Sequence, residues 1–273
     1  METIITLTTD YGTKDYFVGA IKGKIISYIR DCQIVDISHC IDYFNISQAG
    51  YVISGAYQNF SKGTIHIIGV DAELTEISRP LAMFLDGHYF ISADNGIMSF
   101  LTTDKQADQV VYLDFEIGTP SMDVFIASAA KIAEGTPLAE LGQPAETIVG
   151  VSELKAVVAK DNDSIRGNII YEDHFGNAVS NITQKMFDEI KGERNFIINV
   201  KNRPIKRINK YFSDFKITDS ASLKSREGEL LAIFNELGYL QFSLYRANPL
   251  TTGSPKILLG LEYRDTITIE FDE

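Results

Sequence analysis

The feature that most constrains this chain is a change of rhythm near its middle. Through residues 1–150, short apolar runs alternate with segments of helical period. Residues 4–9, 33–38, 63–70 and 109–113 read as strands, and 81–85 and 88–92 flank Asp86-Gly87, a hairpin signal. Between them, Phe17, Ile21, Ile25 and Ile29 recur every four residues; residues 46–60 carry a second apolar stripe, and 121–134 a third that stops at Gly135. Strand–helix alternation predicts an α/β fold with a mostly parallel sheet and helices on both faces. A parallel crossover must travel back along the sheet, and a helix does so while covering it. From about residue 163 the helical period nearly vanishes: 167–171, 195–200, 230–235, 239–245 and 266–271 read as strands, and only 183–191 as helix. The expected organisation is an α/β domain over 1–158, a polar linker over 159–166, and a C-terminal all-β, barrel-like domain over 167–273.

Composition excludes several classes of function. With 45% hydrophobic and 23% charged residues among 273, the chain has ample apolar material for a buried core. A formal net charge of -12 opposes generic binding to nucleic acid or to anionic membranes. No stretch approaches the ~18 apolar residues of a membrane span, and the opening Met1-Glu2-Thr3-Ile4-Ile5 has no basic leader. Cys32 and Cys40 follow neither metal-ligand spacing nor a disulfide framework, as in a reducing compartment. A cytoplasmic protein without nucleic-acid or membrane partners is expected.

Chemistry concentrates at strand ends. Three apolar runs finish in aspartate: Thr8-Thr9-Asp10, Ile34-Val35-Asp36 and Gly69-Val70-Asp71. In an open α/β sheet, ligands collect beyond the carboxyl ends of the strands. An aspartate there accepts hydrogen bonds from ribose hydroxyls or binds a divalent cation; otherwise it caps the following helix or turn. Asp10 opens the loop Tyr11-Gly12-Thr13-Lys14-Asp15, which leads into a helix. The absence of a GxGxxG or Walker-type loop argues against an ordinary dinucleotide or P-loop site. In the second half, Asp173-His174-Phe175-Gly176-Asn177 sets a ring beside an amide, either a purine clamp or a strand turn. Tyr211, Phe212 and Tyr239 offer further ring faces or core filling. Among the histidines, His39 and His66 read as structural, His88 as exposed and His174 as ligand-facing. None forms a metal-binding pair or a Ser-His-Asp triad.

Taken in order, the segments resemble the S-adenosylmethionine (SAM) hydroxide adenosyltransferases, or SAM hydrolases, which share a superfamily with SAM-dependent chlorinases and fluorinases. The resemblance runs through Thr8-Thr9-Asp10-Tyr11-Gly12 with Asp15, Val18-Gly19-Ala20-Ile21-Lys22-Gly23, Val35-Asp36-Ile37-Ser38-His39, Gly69-Val70-Asp71, Ala93-Asp94-Asn95-Gly96, Asp123-Val124-Phe125, Asp173-His174-Phe175-Gly176-Asn177 and Asn235-Glu236-Leu237-Gly238-Tyr239. It implies a trimer with each site between one subunit's first domain and its neighbour's second. It implies attack of water or hydroxide on C5′ of SAM to give adenosine and methionine, with SAM as substrate and neither cofactor nor metal. By the same resemblance Asp71 is the catalytic group, Asp10 binds the ribose hydroxyls and Phe44 lies beside the ribose. Phe175, Asn177 and Phe212 hold adenine, and Asp15 and Asp173 meet the methionine ammonium.

The departures define a second reading. The family handles water with an aspartate, an arginine seven residues later and a histidine before the Asp-Val-Phe helix. Asp71 matches, the arginine position is Ser78 with Arg79 next, and the histidine position is Pro120. Serine and proline do not move protons near pH 7, and losing a positioned acid–base partner costs ~10²–10⁴-fold in rate. At the methionine end Met122 and Glu236 also depart from the pattern. The alternative is therefore a catalytically impaired member that binds a nucleoside or SAM. A third reading, a metal-dependent phosphohydrolase on Asp10, Asp36 and Asp71, rests on strand-end geometry alone.

Overall fold

The computed structural model describes residues 2–103, 105–151, 155–201, 203–216 and 218–272. The chain divides into two compact units, 1–151 and 152–273.

The first unit holds strands β1 (Thr3–Thr9), β2 (Cys32–Ser38), β3 (Ile65–Gly69), β4 (Pro80–Leu85), β5 (His88–Ala93), β6 (Gln109–Leu113) and β7 (Gly142–Pro144), in the order β2-β1-β3-β5-β4-β6-β7. The pairings β1/β2, β1/β3 and β3/β5 are parallel; those of β4 with β5 and β6, and of β6 with β7, are antiparallel. Thus β1, β2, β3, β5 and β6 run one way, the mostly parallel sheet expected. The reversal of β4 follows from Asp86-Gly87, whose φ angles of +53° and +84° make the two-residue turn that suits a twisted hairpin.

Helices α1 (Phe17–Tyr28) and α4 (Ser121–Ala133) cover one face; α2 (Ile46–Ala56) and α3 (Ile97–Leu101) cover the other. Ile5, Leu7, Ile65 and Ile67 bury against Ile21, Ile25 and Phe125, while Ile68 and Phe90 bury against Ile53 and Met98. Strand residues alternate between two helical stripes, so a one-residue slip would misplace every one of them, at ~1.5–3 kcal/mol per large side chain. α3 and β7 are too short to show a period and were not legible in the sequence.

The same alternation corrects one expectation. His88 is buried, at 4% exposure, because β5 lies inside the sheet and not at its edge. Its Nδ1 sits 3.2 Å from His66 Nε2, and both rings meet Tyr57 edge-on. Burial pushes the His66 imidazole down to about 3, with His88 adding to the effect.

The second unit holds β8 (Val157–Val158), β9 (Ser164–Glu172), β10 (Ala178–Thr183), β11 (Phe196–Val200), β12 (Arg203–Ile205), β13 (Ile208–Asn209), β14 (Leu230–Phe234), β15 (Tyr239–Leu244) and β16 (Thr266–Phe271). They run β12-β11-β16-β9-β10-β15-β14-β13, with β8 on β9, and curl into a nearly closed barrel around Ile165, Ile198, Phe242, Ile267 and Ile269. Short helices α5 (Gln184–Lys191), α6 (Ser220–Lys224) and α7 (Pro255–Leu259) interrupt it. Polar residues 159–164 turn the chain between β8 and β9, with Ala159 N donating to Ser164 O at 2.9 Å. β10 escaped the sequence pattern because Ser180 and Asn181 break its apolar run; Ser180 is buried with its hydroxyl donating to Leu240 O at 2.9 Å. Among the described residues no helix is long and apolar enough to cross a membrane.

Candidate functional site

Thr9 of β1 pairs with Gly69 of β3, so Asp10 and Asp71 lie just beyond neighbouring strands on one edge of the sheet. Asp10 is half-buried, and its Oδ2 accepts the Phe44 backbone N–H at 3.0 Å. Phe44 is held at a left-handed φ of +60° with its ring 71% exposed. Two further ties close the same loops: Thr9 Oγ1 to His39 Nδ1 and Gly12 N to His39 O, both 2.7 Å. A backbone donor thus orients the Asp10 carboxylate, whose other oxygen has no hydrogen-bond partner among the described residues. Asp15 is exposed in the loop before α1.

Asp36 behaves differently from the strand-end expectation. β2 continues to Ser38, so Asp36 lies within the strand, 2.5 Å from Lys22 Nζ and 3.1 Å from His39 Nε2. Partial burial pushes its carboxyl up, but Lys22 and His39 more than offset this and hold it below the usual carboxylate range. That pairing removes it from a three-aspartate cluster. Among the described residues no three His, Cys, Asp or Glu side chains gather to hold a metal ion.

Asp71 is exposed, with a left-handed φ of +46° and no hydrogen bond to its carboxylate among the described residues. Behind it, Asn95 Nδ2 donates to Val70 O at 3.0 Å and Asp71 O at 2.8 Å. A Cβ on Gly69 would come within 2.9 Å of Met122 Sδ and 3.7 Å of Tyr11 Oη. The first turn of α4 and the Tyr11 ring thus both lie close against this strand end. Burial and the Asp10 charge push the Tyr11 phenol up, and the Ser121 hydroxyl partly offsets them.

The positions that depart from the family pattern are occupied structurally. Ser78 closes a turn with Thr75: its N–H donates to Thr75 Oγ1 and its carbonyl accepts Thr75 N, both at 3.0 Å. The Arg79 guanidinium lies 4.3 Å over the Tyr112 ring, and Tyr112 donates its hydroxyl to buried Asp94 at 2.7 Å. Burial first, then Asp94, pushes the Tyr112 phenol up to about 12. Pro120 caps α4 with no side-chain hydrogen bond.

In the second unit, the Asp173 carboxylate folds back on its own turn. Oδ1 accepts Phe175 N and Asn177 N at 2.9 Å each, and Oδ2 accepts Asn177 Nδ2 at 2.8 Å. Gly176 has a φ of +72°, and a Cβ there would come within 2.5 Å of Ser254 Cβ, so both the turn and its packing require glycine. The result is a 66% exposed Phe175 ring beside the buried Asn177 amide, with exposed His174 edge-on to Phe175 at 5.8 Å. Phe212 and Tyr211 are exposed on the loop after β13, where Asp214 pairs with Arg207 at 2.9 Å. Asp10, Asp15, Phe44 and Asp71 therefore belong to the first unit, and Asp173, Phe175, Asn177 and Phe212 to the second. Sequence reasoning read His39 as structural and gave no role to Thr9 or Asn95; the one signal for Asn95 was the segment Ala93-Asp94-Asn95-Gly96.

An α/β unit with carboxylates at its parallel strand ends, followed by a nearly closed, mostly antiparallel barrel, defines a two-unit class of fold. Residues 5–142 match the SAM hydroxide adenosyltransferase N-terminal domain, and residues 167–268 match the C-terminal domain of the same family. The chain belongs to the SAM hydroxide adenosyltransferase family. It is 29% identical over 276 residues to the (R)-S-adenosyl-L-methionine hydrolase of Methanocaldococcus jannaschii, covering 97% of this chain and 95% of that one. It is 25% identical over 182 residues to the Salinispora tropica protein of the same name, covering 63% and 69% respectively. The crystal structure of an uncharacterized conserved protein from Thermotoga maritima superposes with a TM-score of 0.79 at 23% identity, over 98% of this chain and 99% of that one, a likeness of fold.

Proposed function

We propose that this protein hydrolyses SAM to adenosine and methionine. A water oxygen bonds to C5′ as the C5′–S bond breaks, its electron pair passing to sulfur; the sulfonium becomes a neutral thioether and one proton is released. Such a leaving group needs no acid, so the protein's task is to align water opposite sulfur and to hold the ribose. Asp71 orients the water and Asp10 binds the ribose hydroxyls beside Phe44. Phe175, Asn177 and Phe212 hold adenine, and Asp15 and Asp173 face the ammonium. SAM enters as substrate. A cytoplasmic trimer, with each pocket completed by a neighbouring copy's second unit, goes with this reading; sedimentation of the purified chain as a monomer would remove that part.

The observation that carries the reading is the exposed Asp71 carboxylate, without a hydrogen-bond partner among the described residues and one strand from Asp10, in a chain matched along most of its length by the family. Incubation with SAM, with adenosine followed by chromatography, tests it: no adenosine above an Asp71→Asn control would overturn it. A second reading, nucleoside binding without turnover, is favoured by the engagement of Arg79 on Tyr112 and of Ser78 in the Thr75 turn. Calorimetric binding of adenosine or SAM by a chain that forms no product distinguishes it.

A further inference from the structure

β3 pairs with β1 as far as Gly69 and with β5 as far as Ile67. Val70 and Asp71 run past this ladder, where their carbonyls need another partner. Asn95 supplies it for both, at 3.0 and 2.8 Å from one amide nitrogen, while its Oδ1 accepts Ile97 N at 3.1 Å. The turn that carries Asn95 is itself fixed. Buried Asp94 accepts Tyr112 Oη at 2.7 Å and Val149 N at 2.9 Å, and its own N–H donates to Arg79 O at 2.8 Å. What the amide grips is a strained turn, since few side-chain-bearing residues adopt the left-handed φ of +46° seen at Asp71.

We propose that Asn95 is a positioning residue for the reaction: its side-chain amide, by holding the carbonyls of Val70 and Asp71, keeps Asp71 in the left-handed turn that aims its carboxylate at the attacking water. The inference rests on the role proposed for Asp71 and deepens it. Asn95 acts through Asp71 and touches no reacting atom.

Asn95→Asp is the discriminating variant. It keeps the size of the side chain and the acceptor for Ile97 N, and it removes both donors. The expected result is a fall in kcat for adenosine formation of ~10–100-fold, the scale of a misplaced catalytic group. KM for SAM and the adenosine Kd stay within about threefold, and the variant's crystal structure shows Asp71 outside the left-handed region. Asn95→Ala, which adds no charge, shares the kcat loss. A merely structural lesion would move KM, adenosine affinity and melting temperature together. A kcat within about twofold of wild type, or an unchanged Asp71 turn in the Asn95→Asp crystal, overturns the proposal. If the wild-type protein forms no adenosine, the proposed function falls, and the clamp is judged by the Asp71 φ in the two crystal structures alone.

Discussion

The two units present their candidate groups in opposite ways. In the first, the backbone around Asp71 is held from behind by Asn95 and the carboxylate is exposed. In the second, the Asp173 carboxylate is the holder: it takes three hydrogen bonds from its own turn, and what remains exposed is the Phe175 ring. A strand end supported by a sheet can release a charged side chain toward a reactant. The turn between β9 and β10, though packed against Ser254, uses its carboxylate to set its own shape. The two aspartates thus have different expected roles: Asp71 orients the water, whereas Asp173 sets the shape of its turn as well as facing the ammonium.

The largest expected effect separates these roles most sharply. Asp71→Asn lowers the rate of adenosine formation by ~10²–10⁴-fold, with adenosine affinity by calorimetry within about twofold of wild type; an equal loss of affinity would erase the contrast. Asp173→Ala, which removes all three bonds of the turn, weakens adenosine binding by ~30–100-fold, since bonds to a charged acceptor contribute ~1.5–3 kcal/mol each and the turn partly rebuilds. Asp173→Asn keeps an acceptor and recovers part of that loss, an outcome a charge-only role would not give. Asp10→Asn weakens adenosine binding by about tenfold, as a charge-assisted bond to ribose becomes a neutral one. Phe175→Ala costs roughly fivefold, the scale of one stacking contact near 1 kcal/mol.

A further effect, read as stability and not as rate or affinity, belongs to the first unit. The folded His66 imidazole is pushed down to about 3, whereas an unfolded one titrates near ~6.5. Above that upper value neither state binds the proton and there is no contribution. As pH falls below it, the unfolded chain takes a proton that folded His66 refuses, so stability declines by up to ~1.4 kcal/mol per pH unit until the folded value is reached. The melting temperature of the wild-type chain should therefore fall between about pH 6.5 and 5, ahead of the carboxylates. His66→Gln should flatten that slope; an unchanged slope removes His66 as its source.

The longer elements and the chemistry at the strand ends were legible in the residue pattern, whereas α3, β7 and β10 were not. The four-residue recurrence from Phe17 to Ile29, the strands beside Asp86-Gly87 and the aspartates after β1 and β3 are local patterns, set by residues within a turn or a pleat of one another. Only the tertiary structure decided what each side chain faces. It placed Asp36 inside β2 on Lys22, buried His88 against His66, stacked Arg79 on Tyr112 and put Asn95 behind Asp71. Every one of those partners comes from another element of the sheet or its covering layer. Periodicity tells which face of an element is apolar; it carries no information about which distant residue will meet that face, because that is fixed by strand order and register.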